Sequence, residues 1–306
     1  MDVRLAVVFS SAVLPLASTF AEQPPVPETV APGAKLVELY GDDRFFEGPV
    51  WEPVGKKLYF TAFGSDNQQI LRVDAPGKVT VWKDQSKGVN GTFLSIEGRM
   101  LGAQAYGQSV VDYGFNPDGT CEEKTLLYYA KLNQPNDICQ TRDGEIFYTD
   151  PGSKVPPGAY RLTTKGEIVK FAEEMKTPNG IIASNDGKTV YVGDSTARHW
   201  RSYAVLEDGK MGPGTLFFAP DPKYKDGDGA PDGMTIDEHG NLYVSGGSRV
   251  WVVSPAGKSL GLIATPSFCS NVTLGGADGK TLYLTCSKKV FSLQLTVGAG
   301  KGATGK

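Results

Sequence analysis

Four polar residues, Glu47, Asn136, Asn179 and Asp232, each stand at the entrance to a short apolar strand. Two carboxylates and two amide oxygens brought to one point make a hard oxygen cage. Such a cage suits Ca²⁺ and, with water, Mg²⁺ or Mn²⁺. Zinc more often takes His or Cys. The only histidines are His199 and His239, neither at such a position. A histidine metal centre or a Ser-His-Asp triad is therefore poorly supported. One Asp or Asn before a strand means little, because such side chains often hydrogen-bond their own backbone. Four in register, with nearly the same apolar flanks, point to a shared metal site.

The elements that must position them form a repeat. Pro135-Asn136-Asp137-Ile138, Pro178-Asn179-Gly180-Ile181 and Pro231-Asp232-Gly233-Met234 each lead through an Asp-Gly-type turn into a second apolar strand. Glu47-Gly48-Pro49-Val50 and Cys269-Ser270-Asn271-Val272 follow the same plan. Taken at 47, 136, 179, 232 and 271, the intervals are 89, 43, 53 and 39 residues. The first is double length, so a degenerate copy is expected near residue 90. Residues 93–103 supply its strand, turn and strand without the Pro. Six copies result. The tyrosines of the second strands, Tyr59, Tyr148, Tyr191, Tyr243 and Tyr283, read as packing residues.

Between copies lie further short strands, such as residues 69–74 with 78–82 and 249–253 with 259–263. Each unit of roughly 40–50 residues then holds four strands, the pattern of a propeller blade. The chain is therefore expected to be all-β, a six-bladed β-propeller with four-stranded antiparallel blades around a central channel. Residues 35–296 form that domain, and the strand at 290–295 closes the ring with the segment near residues 36–39. Residues 1–21 read as a signal peptide, with an apolar run and cleavage after Ala17 or Ala21. The protein is then secreted or periplasmic; without a functioning signal it is cytoplasmic. Residues 22–34 read as a linker and 297–306 as a flexible tail. The acidic, Gly-rich stretch 220–229 lacks the EF-hand pattern and reads as a lid beside the site.

The 306 residues carry a formal net charge of −3 and no Lys/Arg cluster, which argues against a nucleic-acid groove. After residue 21 no apolar run is long enough to cross a bilayer. Cys121, Cys139, Cys269 and Cys286 contain no Cys-x-x-Cys pair. They are either buried thiols or, in an exported protein, one or two disulfides. Cys269 and Cys286 start and end paired strands, so they would face each other. Asn90-Gly91-Thr92 and Asn271-Val272-Thr273 match the glycosylation acceptor pattern, a frequent chance match; no glycan is expected at Asn271.

In combination and order, Phe46-Glu47-Gly48-Pro49-Val50-Trp51, Gln134-Pro135-Asn136-Asp137, Thr177-Pro178-Asn179-Gly180 and Pro231-Asp232-Gly233-Met234-Thr235-Ile236-Asp237 are specific. With them the chain resembles the SMP-30/gluconolactonase/LRE-like family over residues 35–295. The resemblance implies a six-bladed propeller with one divalent cation in its channel, Ca²⁺ first, with Mg²⁺, Mn²⁺ or Zn²⁺ as alternatives. It implies that Glu47, Asn179 and Asp232 hold the metal and that Asn136 touches metal or substrate. Asp232 is also the implied catalytic carboxylate. Sugar-lactonase members often have Arg two residues before that Asn; here it is Gln134, which offers hydrogen bonds without charge. Gln134, Asn136 and Asn271 are the candidate substrate contacts.

The expected function is metal-dependent opening of a small-molecule lactone. Alternatives are a phosphotriesterase on the same site and a non-enzymatic calcium-binding propeller. The oligomeric state is left open.

Overall fold

The computed structural model describes residues 24–303 except 66, 129–131, 153–155, 208 and 222–229. The proposed signal peptide and most of the acidic loop therefore lie outside the described residues. Twenty-four strands form six four-stranded antiparallel sheets, and no α-helix occurs among the described residues.

Strand β1 (Val37–Gly41) precedes the first complete blade. That blade is β2 (Phe45–Glu52), β3 (Lys57–Phe63), β4 (Gln68–Ala75) and β5 (Lys78–Lys83). Blade two is β6 (Val89–Leu94), β7 (Met100–Gln104), β8 (Ser109–Phe115) and β9 (Cys121–Tyr128). Blade three is β10 (Ile138–Gln140), β11 (Ile146–Asp150), β12 (Gly158–Leu162) and β13 (Ile168–Phe171). Blade four is β14 (Pro178–Ala183), β15 (Thr189–Asp194), β16 (His199–Ala204) and β17 (Thr215–Phe218). Blade five is β18 (Pro231–Ile236), β19 (Leu242–Gly246), β20 (Arg249–Val253) and β21 (Ser259–Ala264). Blade six is β22 (Cys269–Gly275), β23 (Thr281–Cys286) and β24 (Lys289–Gln294), completed by β1 from the start of the chain.

That last pairing runs from Val37 opposite Ser292 to Gly41 opposite Lys289. It joins the two ends of the ring and covers the edge that β24 would otherwise expose.

The second strands β7, β11 and β19 are buried along their whole length, because blades pack face to face on both sides of them. The outer strand β5 is mostly exposed. This layering explains why the inner strands read as apolar runs. Phe60, Phe147 and Trp200 are fully buried between blades, and each such side chain contributes about 1.5–3 kcal/mol. All five second-strand tyrosines are buried, as packing residues should be.

Each inner strand runs from one face of the ring to the other, here called the mouth and the base. The base turns are the Asp-Gly signals. In blade four Gly187 has φ 71° and donates to the Ser184 carbonyl, while Asp186 Oδ1 accepts from Ser184 Oγ and Lys188 N. Gly takes that φ with no Cβ to clash.

The segments flanking the ring are docked. Val30 bridges to Leu295, and Leu262 N donates to the Pro25 carbonyl, although these residues read as linker. The expected flexible tail also differs. Ala299 bridges to Asp237, Gly300 N donates to the Ile236 carbonyl, and Lys301–Ala303 form a 3₁₀ turn. Both segments bind through backbone hydrogen bonds, which Gly- and Pro-rich composition does not reveal.

Candidate functional site

Five inner strands enter the mouth through a break in register. The pairing slips between Glu47 and Val50, Val89 and Thr92, Pro178 and Ile181, Pro231 and Met234, and Cys269 and Asn271. A bulge adds one residue to its strand and re-aims the side chain there. The residue after the first anchor is Asn90, Asn179, Asp232 and Ser270 in blades two, four, five and six; in blade one Glu47 is itself the anchor and precedes Gly48, and Asn136 stands just ahead of β10.

The next position is Gly48, Gly91, Gly180 and Gly233 in four blades. A Cβ on Gly91 would collide with the Asp137 carboxylate, on Gly180 with the Asp232 backbone, and on Gly233 with the Asn271 side chain. These glycines let neighbouring inner strands touch near the axis. In blades three and six that slot holds Asp137 and Asn271, which fill the space the neighbouring glycines leave.

The mouth therefore gathers three carboxylates. Glu47 is buried, and its Oε2 accepts from Gly48 N at 2.5 Å and from Asn271 Nδ2 at 3.0 Å. Burial pushes its pKa up to about 7 against the pull of those donors. Asp137 is buried beside it, and burial, then the charge of Glu47, raises its pKa well above the usual Asp range. Its oxygens accept from Ile138 N and Ile181 N, and the Asn271 amide lies against it. Asp232 keeps part of its surface open to the mouth. Burial of its carboxyl, then Glu47, then Asp137 raise its pKa, opposed by Gly233 N–H and the Asn179 amide. No ion pair among the described residues reaches these acids.

Asn179 is held for a purpose other than satisfying itself. Its Nδ2 donates to Ser195 Oγ at 3.1 Å, and Ser195 Oγ donates to the Pro231 carbonyl at 2.6 Å. Its Oδ1 is buried and has no partner within the protein. A fixed, unpaired amide oxygen beside carboxylates that resist ionising together is the donor chemistry a divalent cation requires. Among the described residues no three His, Cys, Asp or Glu side chains form a metal-holding group by themselves. A cation site here would therefore have to draw on the amide oxygens.

Comparison with known proteins gives the family. The family model for the SMP-30/gluconolactonase/LRE-like region matches residues 45–288. The chain belongs to that family. It is 25% identical over 292 residues to a gluconolactonase of Zymomonas mobilis, covering 84% of this chain and 80% of that protein. It is 26% identical over 246 residues to a pentonolactonase of Haloferax volcanii, covering 79% and 81%. Among solved structures it resembles a gluconolactonase from Xanthomonas campestris with a TM-score of 0.75, 26% identity and coverage of 89% and 97%.

In this family member Glu47 and Asn179 both act on the Asp232 carboxyl at the mouth, and Asn136 stands at the adjoining strand entry, its carbonyl accepting from Gly91 N. Gln134 is exposed on the rim, its backbone N–H held by Asp150 Oδ1. Asn271 is placed differently from the expected substrate contact. It is buried, its Nδ2 given to Glu47 and its Oδ1 taken by Val272 N, so it positions Glu47. Cys269 and Cys286 do face each other, as buried free thiols.

Two mouth residues do not stand out in the sequence. Asp137 stands in the glycine slot, one residue after the repeating position. Asn90 follows Val89 where the copies in blades three, four and five have Pro, and it falls in a glycosylation pattern. The following Gly91 and the spacing from Glu47 were the available signals. A cavity of about 20 Å³ lies deeper in the channel against Asp137 and Asn271. Two surface clefts of about 560 Å³ contain none of these mouth residues.

Proposed function

We propose that the protein is a metal-dependent lactonase that opens a sugar-type lactone to its hydroxy acid. The observation that carries this reading is the clamped, unpartnered Asn179 Oδ1 beside Glu47 and Asp232. The gluconolactonase and pentonolactonase names of similar proteins support the substrate class.

Glu47, Asn179 and Asp232, with Asn136, would hold one divalent cation, with Ca²⁺ the first candidate. When bound, that cation supplies a Lewis acid for the lactone carbonyl oxygen. Asn271 and Gly48 N–H fix the Glu47 carboxylate, and Ser195 fixes Asn179, so neither must reorganise during the reaction. Asp232 receives a proton from the attacking water as its oxygen bonds to the carbonyl carbon. The ring C–O bond then breaks, and the proton passes to the departing alkoxide oxygen of the same molecule. The partly open surface of Asp232 gives that proton transfer access to substrate.

The test is acid release from a lactone panel by extensively chelated protein, repeated after adding Ca²⁺, Mg²⁺, Mn²⁺ or Zn²⁺ separately. The expected result is no turnover when chelated and recovery with at least one ion. Full turnover without any divalent ion would reject metal dependence, and no turnover of any lactone under all conditions would reject the activity.

A further inference from the structure

Asn90 is a mouth residue that the mechanism above does not use. By register it occupies the blade-two place equivalent to Asn179 and Asp232, and like Glu47 it precedes a glycine. Its Oδ1 is buried without a partner within the protein, as is that of Asn179. An unpaired buried amide oxygen costs stability, and an external donor would answer it.

The surroundings of the two amides differ. Asn179 is clamped through Nδ2 by Ser195, which suits an oxygen that must hold a fixed position on a cation. At Asn90 the backbone is held: its carbonyl accepts from Thr61 Oγ1 at 3.0 Å, and Thr92 Oγ1 donates to the Gly48 carbonyl across the same seam. Its side-chain Oδ1 has no hydrogen-bond partner among the described residues. A fixed backbone with an unpaired amide oxygen can accept from the hydroxyls of a ring.

The rim above this strand is aromatic. Tyr106 is 59% exposed and meets Phe63 edge to face at 6.2 Å. Its ring lies over Gly88, two residues before Asn90, where φ is 69° and any Cβ would strike the ring. Ala105 N and Tyr106 N donate to the Gly88 and Lys87 carbonyls, which fixes this turn over the entry to β6. An apolar ring over the entry to the strand that carries the amide matches a polyhydroxylated lactone, whose C–H face is apolar and whose edge carries hydroxyls.

We propose that Asn90 and Tyr106 form the subsite that distinguishes hydroxylated lactones from plain ones, with Asn90 bonding a ring hydroxyl and Tyr106 covering the ring face. This rests on the lactonase reading above. It makes Asn90 a specificity residue and leaves the cation to Glu47, Asn136, Asn179 and Asp232.

The experiment compares wild type, Asn90→Ala, Asn90→Ser and Tyr106→Ala, all metal-loaded, on a six-membered aldonolactone and on δ-valerolactone. Calorimetric Ca²⁺ or Mn²⁺ affinity and thermal midpoint are measured alongside. Asn90→Ala is expected to lower the kcat/KM ratio of aldonolactone to δ-valerolactone about tenfold, the ordinary worth of one hydrogen bond. The loss should lie in KM for the hydroxylated substrate, with cation affinity retained. Tyr106→Ala should raise KM for both lactones. An unchanged ratio in both Asn90 variants, or a loss of cation affinity that makes Asn90 a metal ligand, would overturn the assignment. Wild type that opens neither lactone overturns the lactonase reading itself, and the subsite with it.

Discussion

Strand β18 carries one aspartate at its mouth end and is followed by another at its base, and they live in opposite surroundings. At the base, Asp237 is fully buried and answered by its own turn. Its Oδ1 accepts from His239 N at 2.9 Å and Asn241 N at 2.8 Å, and its Oδ2 from Asn241 Nδ2 at 2.8 Å. At the mouth, Asp232 faces two other acids, and its pKa is raised by burial and by Glu47 and Asp137. The same residue type thus builds a turn at one end and an unmet demand for positive charge at the other. Burial alone does not mark a functional acid; what answers its oxygens does.

The contrast breaks most visibly at Asp232. Asp232→Asn should lower lactone turnover about a thousandfold, within the range of a lost proton-transfer group, while the thermal midpoint of chelated protein stays at or above wild type. A variant that unfolds early would make Asp232 structural like its neighbour.

Next in size is the converse substitution. Asp237→Ala removes four acceptor bonds, the long one from the Tyr243 hydroxyl included, and should cost about 2–3 kcal/mol in urea unfolding. Turnover per folded molecule should remain close to wild type.

Asn271→Ala sharpens the comparison within the mouth. It removes the donor that orients Glu47, and cation affinity should fall about tenfold, as outer partners of metal ligands commonly require. Unchanged affinity in a titration would show that Gly48 N–H positions Glu47 unaided. The smallest effect is expected far from both ends, at the exposed Lys289–Glu38 pair joining β24 to β1. Lys289→Ala should change stability by no more than about 0.5 kcal/mol, since the backbone ladder closes the ring there.

Much of this was legible in the sequence because a blade repeats its physics. Apolar inner strands and Asp-Gly base turns recur, and the residues 290–295 and 36–39 do pair as β24 with β1. Glu47, Asn136, Asn179 and Asp232 were legible because each precedes a strand in the same phase. Asn90 was hidden by one substitution, Val89 for Pro. Asp137 was hidden because its importance comes from blades one and five, whose acids reach it only after folding. Asn271 was found by phase, but its role depends on a hydrogen bond to a residue 224 positions away. The docked stretches around Val30 and Ala299 show no periodicity, since backbone hydrogen bonds hold them.

The most direct test is calorimetric titration of Ca²⁺ into chelated wild type, Asp232→Asn and Asp237→Asn proteins, repeated with Mn²⁺. The account predicts one saturable site in wild type and in folded Asp237→Asn, and its loss in Asp232→Asn. Equal cation binding by wild type and Asp232→Asn would contradict it.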